Sequence, residues 1–187
     1  AGGQLMAISA VRKLSCVKVY SRNPENRKQF AEQWGEKLNL EIKPVETPLE
    51  VVKGSDIVGL ATNSIEPIFK TEWLTEGMNL TCAKQPEGAA EVYRRVDRLV
   101  VNLKHGYPDN YYLGQKKVAA LEKAWAIGKD LDLTDIPLLE DIVTGKEIGI
   151  VPRNAPSIFN TGCNGLDSIE PTGLSVQFLD GRVTKGL

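Results

Sequence analysis

Gly2 and Gly3 stand directly before a run with helical spacing, and a strand-like stretch, Cys16-Val-Lys-Val-Tyr20, is followed by Ser21-Arg22-Asn23-Pro24. Paired glycines let a backbone come close to a phosphate. A helix start offers that anion free N–H groups and the positive end of the dipole. With one glycine ahead of Ala1 the stretch would read G-A-G-G-Q-L, the end of a dinucleotide-phosphate loop. A residue that reads the adenosine ribose is expected roughly 20 positions further on, where the next strand ends. Ser21, Arg22 and Asn23 fall there. An Asp or Glu would take the ribose hydroxyls and repel a 2′-phosphate, whereas arginine stays ionised and matches phosphate geometry. The trio therefore favours NADP(H) over NAD(H); the alternative for Arg22 is a solvated charge at a strand end.

Other candidates carry less chemistry. Lys84 reads either as an acid–base group, were a dry pocket to lower its pKa, or as a solvated loop lysine. His105, the one histidine, follows a strand-like segment and reads as structural or exposed. Cys16, Cys82 and Cys163 are far apart and odd in number, so with one histidine they form neither a disulfide framework nor a zinc pattern. They read as small buried apolar residues of a reduced, cytoplasmic protein. Trp34, Trp73 and Trp125 read as core or interface residues, and Asp132, Asp135, Glu140 and Asp141 as a solvated face without metal-loop spacing. No metal site is expected.

The elements that must position these residues follow from periodicity. Helical spacing runs through Gln4–Leu14 and Pro24–Leu38, the latter capped by Asn23 and opened by proline. Cys16–Tyr20, Leu40–Val45, Asp56–Ala61, Met78–Ala83 and Arg98–Leu103 read as strands. Short helices fall at Thr47–Lys53, Glu87–Arg95 and Pro137–Gly145, and a longer one at Gln115–Lys129. Strands alternating with helices predict parallel βαβ units. The fold class is thus α/β: a doubly wound Rossmann-type sheet with helices on both faces. Its central first strand is missing, and an irregular C-terminal extension follows from Ile150. Ala1, not methionine, opens the chain, which reads as a missing N-terminus.

At 187 residues, 42% apolar and 25% charged, the composition is that of an ordinary globular domain. A net charge of −1 argues against nucleic-acid binding. No apolar run reaches the roughly 18 residues of a membrane span.

Several segments together resemble the ornithine cyclodeaminase/mu-crystallin family. Gly2-Gly3-Gln4 through Ala10-Val11-Arg12, then Val17 through Glu25, are similar to its nucleotide-binding start. Gly54-Ser-Asp-Ile-Val-Gly-Leu-Ala-Thr-Asn-Ser-Ile-Glu-Pro67 with Trp73-Leu-Thr-Glu-Gly77 follows the pattern "ADIV..AT.S..P...W...G". Gly145 through Arg153 and Ile158 through Gly162 are a looser echo of its C-terminal stretch. The resemblance implies an NAD(P)-dependent oxidoreductase acting on an amino acid or its imine by hydride transfer. It implies pyrophosphate contacts from Gly2, Gly3 and Gln4, and adenosine contacts from Ser21, Arg22 and Asn23. Ala61, Thr62, Asn63 and Ser64 would lie beside the cofactor, with Phe159 and Gly162 near the nicotinamide. A homodimer is expected for the intact protein, with residues 1–135 as the nucleotide-binding domain. Residues 136–187 would rejoin a substrate and dimerisation domain outside this sequence.

Three departures stand out. Cyclodeaminases of the family carry a proton-handling aspartate where this chain has Lys84 and Gln85, in Cys82-Ala-Lys-Gln-Pro-Glu-Gly88; Glu91 matches a glutamate common a few residues later. Leu5 replaces a small residue and is expected to crowd helix against strand. The part that binds the amino-acid carboxylate and amine lies outside the sequence. A non-catalytic NADPH-binding protein, or an inactive fragment of such an enzyme, is the alternative reading.

Overall fold

Asn23 and Pro24 open the longest described helix as their chemistry requires. The Asn23 side chain accepts the Glu25 N–H at 2.9 Å, and proline occupies the first turn, where no donor is needed. Asn39 ends it in the left-handed conformation at φ 51°. The same logic starts the next short helix, where Thr47 caps and Pro48 follows.

The computed structural model describes residues 1–62, 64, 67–83, 87–101, 135–148, 157–160 and 176–178. In chain order its elements are α1 (Gly2–Val11), β1 (Val17–Tyr20), α2 (Pro24–Leu38), β2 (Ile42–Pro44) and α3 (Pro48–Val52). Next come β3 (Ile57–Ala61), a 3₁₀ turn (Thr71–Trp73), β4 (Asn79–Cys82), α4 (Ala90–Arg95) and β5 (Arg98–Val101). The last are α5 (Leu139–Val143), β6 (Ser157–Asn160) and β7 (Val176–Phe178). The expected helix at Gln115–Lys129 lies outside the described residues.

The seven described strands form one sheet in the order β2-β1-β7-β3-β4-β6-β5. β1 pairs parallel with β2, and β3, β4, β6 and β5 pair parallel in turn. β7 runs antiparallel to both β1 and β3, so those two share a direction. The chain thus winds one way from β1 to β2 and the other way from β3 to β4, the doubly wound α/β arrangement the alternation predicts. The carboxyl ends of the six parallel strands, at Tyr20, Pro44, Ala61, Cys82, Val101 and Asn160, share one edge of the sheet.

β7, from near the C-terminus, stands between β1 and β3 at the centre of the sheet. A gap there would leave two rows of backbone N–H and C=O groups unpaired, and the C-terminal stretch pairs with both. The helix α5 falls within the short helix expected at Pro137–Gly145, and β6 and β7, beyond Ile150, join the same sheet. α4 also starts later than expected, at Ala90, because Glu87 to Ala89 are bonded to the segment at Ile68–Phe69 instead.

Burial alternates in β1, at Val17 and Val19, and in β4, at Leu80 and Cys82, while in β3 Val58, Gly59 and Leu60 are buried in a row. Leu5, Phe30, Val51, Val52, Phe69 and Met78 complete the core with them. Each such side chain contributes about 1.5–3 kcal/mol by leaving water. Gly54, at φ 75°, makes the turn from α3 toward β3 that a side chain would strain.

Candidate functional site

The sheet edge formed by the strand ends carries most of the expected site, and its residues divide by burial. Ser21 is buried, and its carbonyl accepts a hydrogen bond of 3.2 Å from the Arg27 guanidinium. Arg27 is itself buried, ion-paired with Glu46 and 6.0 Å from the centre of the Tyr20 ring. Asn23 spends its side chain on the α2 cap. Arg22 is exposed and makes no hydrogen bond or ion pair among the described residues. Of the three positions, only Arg22 presents a free side chain to a ligand.

Sequence reasoning passed over Arg27. Its signal was a cation on the inward face of a helix, three residues before Phe30, where an unpaired charge could not stay.

The glycine pair sits differently from the expectation. Gly2 and Gly3 lie inside α1, in its first turn, rather than in a loop before it. A Cβ on Gly2 would stand 1.9 Å from Cζ2 of Trp34, so this glycine lets α1 approach α2. Trp34 in turn stacks on Phe30 at 5.9 Å and lies beneath the Lys37 ammonium at 4.5 Å. Gly3 is exposed and a Cβ there would meet nothing within 4 Å. Gln4 keeps a buried Oε1 without a hydrogen-bond partner among the described residues. Leu5 is accommodated as a core residue at 1% exposure. The first turn of α1 has no side-chain cap and no acidic residue, so its N–H groups are uncapped by side chains.

After β3 the chain passes Ala61 and Thr62, whose N–H donates to the Glu87 carboxylate, and the Thr62 hydroxyl accepts the Ser64 N–H at 3.2 Å. Glu87 is fully buried, whereas Glu91 is exposed. Beside Glu87 lie Cys82 and Tyr93. Burial pushes the Cys82 thiol far up, and the Glu87 charge adds to it; burial also raises the Tyr93 phenol, with Cys82 and then Glu87 contributing. Both groups are therefore neutral in the folded protein at physiological pH. Glu87, rather than Lys84, Gln85 or Glu91, is the buried acid of this stretch, and its signal in the sequence is a lone carboxylate set before Gly88-Ala89-Ala90.

Phe159 falls in β6, in register with Thr81 and Val100. Asn63, Lys84 and Gly162 lie outside the described residues, as do His105 and Cys163. Among the described residues Cys16 and Cys82 form no disulfide, and no cluster of His, Cys, Asp and Glu could hold a metal ion.

The profile of the ornithine cyclodeaminase/mu-crystallin family matches residues 1–149. The chain belongs to this family. Among solved structures it is similar to the Δ(1)-pyrroline-2-carboxylate reductase of Thermococcus litoralis, which was solved with NADH and L-proline. The TM-score is 0.71 and the identity 29%, over 87% of this chain and 49% of that one. It shares its fold with an archaeal alanine dehydrogenase dimer with bound NAD, at TM-score 0.64 and 21% identity, over 85% of this chain and 48% of that one. The same fold recurs in a probable ornithine cyclodeaminase from Bordetella pertussis Tohama I, at TM-score 0.58 and 18% identity, over 88% of this chain and 59% of that one. The chain thus spans about half the length of the solved relatives. The fold is of the Rossmann dehydrogenase type.

Proposed function

We propose that this chain is the nucleotide-binding part of an NADP(H)-preferring oxidoreductase that acts on a small amino acid or its imine. The observation that carries this reading is Arg22, a free and exposed guanidinium two residues beyond the end of β1, in a member of this family. A dinucleotide lies across the carboxyl ends of the strands, at the point where the winding reverses between β1 and β3. Arg22 would take a 2′-phosphate there by charge and paired N–H donors. The uncapped first turn of α1 fits the pyrophosphate, with Gly3 leaving open space and Gly2 holding the helix in place. Thr62 and Ser64, at the end of β3, would border the cofactor, with Asn63 and Ala61 beside them and Phe159 and Gly162 toward the nicotinamide.

The nicotinamide would supply or accept the hydride. The chain's own part is to bind and orient the dinucleotide, and the amino-acid carboxylate and amine would be met by residues outside this sequence. Residues 1–135 would be the nucleotide-binding domain and 136–187 the segment that leads back to the rest of the protein. The free thiols fit a reducing, cytoplasmic setting. The archaeal relative is a dimer, which supports a homodimer for the whole protein. No helix among the described residues is long and apolar enough to cross a membrane.

Titrating the protein with NADPH and NADH, followed by nicotinamide fluorescence, tests the reading. NADPH binding at least several-fold tighter than NADH is expected. Tighter NADH binding refutes the role of Arg22, and binding of neither refutes the nucleotide-binding function. A second reading, an NADPH-binding protein without turnover, is favoured by Lys84 and Gln85 standing where the cyclodeaminases carry an acid. Steady NADPH oxidation with a cyclic ketimine, or with an α-keto acid plus ammonia, excludes it.

A further inference from the structure

Glu87 ties down both ends of the stretch that leaves β3. Its carboxylate accepts the N–H of Thr62, the first residue beyond the strand. Its main-chain carbonyl accepts the N–H of Ile68 at 2.9 Å and of Phe69 at 3.1 Å, where the chain returns to the core through the buried Phe69 ring. The pairing continues as the Ala89 N–H donates to the Phe69 carbonyl at 3.3 Å, alongside a bridge between Phe69 and Gly88. Between these anchors the Ser64 N–H donates to the Thr62 hydroxyl at 3.2 Å. A buried carboxylate is a costly way to fill volume, since an apolar side chain of the same size carries no desolvation penalty. What the carboxylate adds is an acceptor at the strand end, where the backbone has run out of strand partners.

We propose that Glu87 is a positioning residue for nucleotide binding: by holding the Thr62 backbone at the end of β3, it fixes the conformation in which Thr62 and Ser64 meet the cofactor. The inference rests on the nucleotide-binding reading above. It assigns the buried acid of the Cys82–Gly88 stretch a role in shaping the binding edge, distinct from proton transfer.

The test compares Glu87→Met, Glu87→Gln and Glu87→Asp in the full chain. NADPH and NADH are the probes for affinity, and amide hydrogen exchange is read at Thr62, Ile68 and Phe69. Methionine keeps the volume and removes the acceptor; glutamine keeps the acceptor without the charge; aspartate keeps the charge and loses the reach. Expected are nucleotide affinities at least tenfold weaker for E87M and E87D, and within threefold of wild type for E87Q. Exchange at Thr62 should rise at least tenfold in E87M, while Ile68 and Phe69, bonded to the main chain of residue 87, stay protected. Wild-type affinity in E87M, or unchanged Thr62 exchange, overturns the proposal. Should E87M fail to fold, the order of E87Q and E87D decides, and tighter binding by E87D overturns it. If the wild-type chain binds neither nucleotide, the functional reading falls first and takes this role with it. Equal binding by wild type and E87M fells this role alone.

Discussion

Adding one methyl group at each of two adjacent glycines should move stability in opposite directions. Both Gly2 and Gly3 lie in the first turn of α1, so replacing either by alanine removes backbone entropy from the unfolded chain. That gain is at most about 1 kcal/mol, and smaller in a first turn than mid-helix. At Gly3 nothing lies within 4 Å of the new Cβ, so the gain stands alone. At Gly2 the new Cβ falls 1.9, 2.3 and 2.6 Å from three ring atoms of Trp34, far inside contact distance. The ring cannot yield freely, because it stacks on the buried Phe30. Overpacking of this kind costs about 1–3 kcal/mol, so Gly2→Ala is a net loss of about 1–2 kcal/mol. For a chain of this size that lowers Tm by roughly 3–6 °C, while Gly3→Ala raises it by up to about 3 °C. Thermal and urea unfolding of the two variants beside wild type are the assay. Equal stabilisation by both substitutions would show that α1 does not rest on Trp34. If Gly3 is also where the backbone meets a phosphate, Gly3→Ala weakens NADPH binding while it stabilises the fold, and the two readouts separate the roles.

Three further outcomes follow from the structure. Arg22→Ser should leave stability within about 0.5 kcal/mol, since the side chain is exposed and makes no hydrogen bond or ion pair among the described residues; NADPH affinity should fall about tenfold, the loss of one charge-assisted contact, with NADH affinity unchanged. Equal losses for both nucleotides would remove Arg22 from 2′-phosphate recognition. Phe30→Ala should cost about 3–5 kcal/mol in urea unfolding, against under about 0.5 kcal/mol for Val143→Ala at an exposed site. Comparable effects of the two would place the core elsewhere. Cys82 and Tyr93 are held neutral in the fold but ionise in the unfolded chain near 9.0 and 10.0. Their contribution is therefore complete below pH 9 and declines as pH rises, by about 1.4 kcal/mol per unit for each proton the unfolded chain has lost. The double variant Cys82→Ala, Tyr93→Phe should flatten the stability profile between pH 9 and 11; an unchanged slope refutes the assignment.

Periodicity carried the sequence reading furthest where elements are local. The α2 helix came out residue for residue, because Asn23, Pro24 and the spacing of Phe30, Ala31, Trp34 and Leu38 all speak within one segment. β3 and β4 were legible for the same reason, each an apolar run bounded by polar or turn residues. β7 was not, since three residues near the C-terminus reveal nothing of a place between β1 and β3 that only the assembled sheet creates. The site split likewise. Ser21 and Arg22 could be found by their distance from a helix start, but their difference in burial could not. The close approach of Gly2 to Trp34 was not legible because it joins positions 32 apart in sequence, and Glu87 was missed because its partner, Thr62, is 25 residues away.

The two buried ionisable side chains near the strand ends, Arg27 and Glu87, order the backbone along that edge. Strand ends are where backbone groups lose their ladder partners, and at Ser21 a carbonyl and at Thr62 an N–H are left without one. A guanidinium donates to the first and a carboxylate accepts from the second, each matched in sign to the group it satisfies. Both charged side chains are thereby committed inward, and the backbone they hold is fixed before any ligand arrives. Side chains on the same segments that face outward, Arg22 above all, are then free to make contacts whose geometry is already set. On the proposed function, a nucleotide binding to such an edge would lose little conformational entropy, because the ordering is completed in folding. A chain with apolar residues at 27 and 87 could keep the same strands and the same exposed arginine, and would leave the Ser21 carbonyl and the Thr62 N–H without these partners.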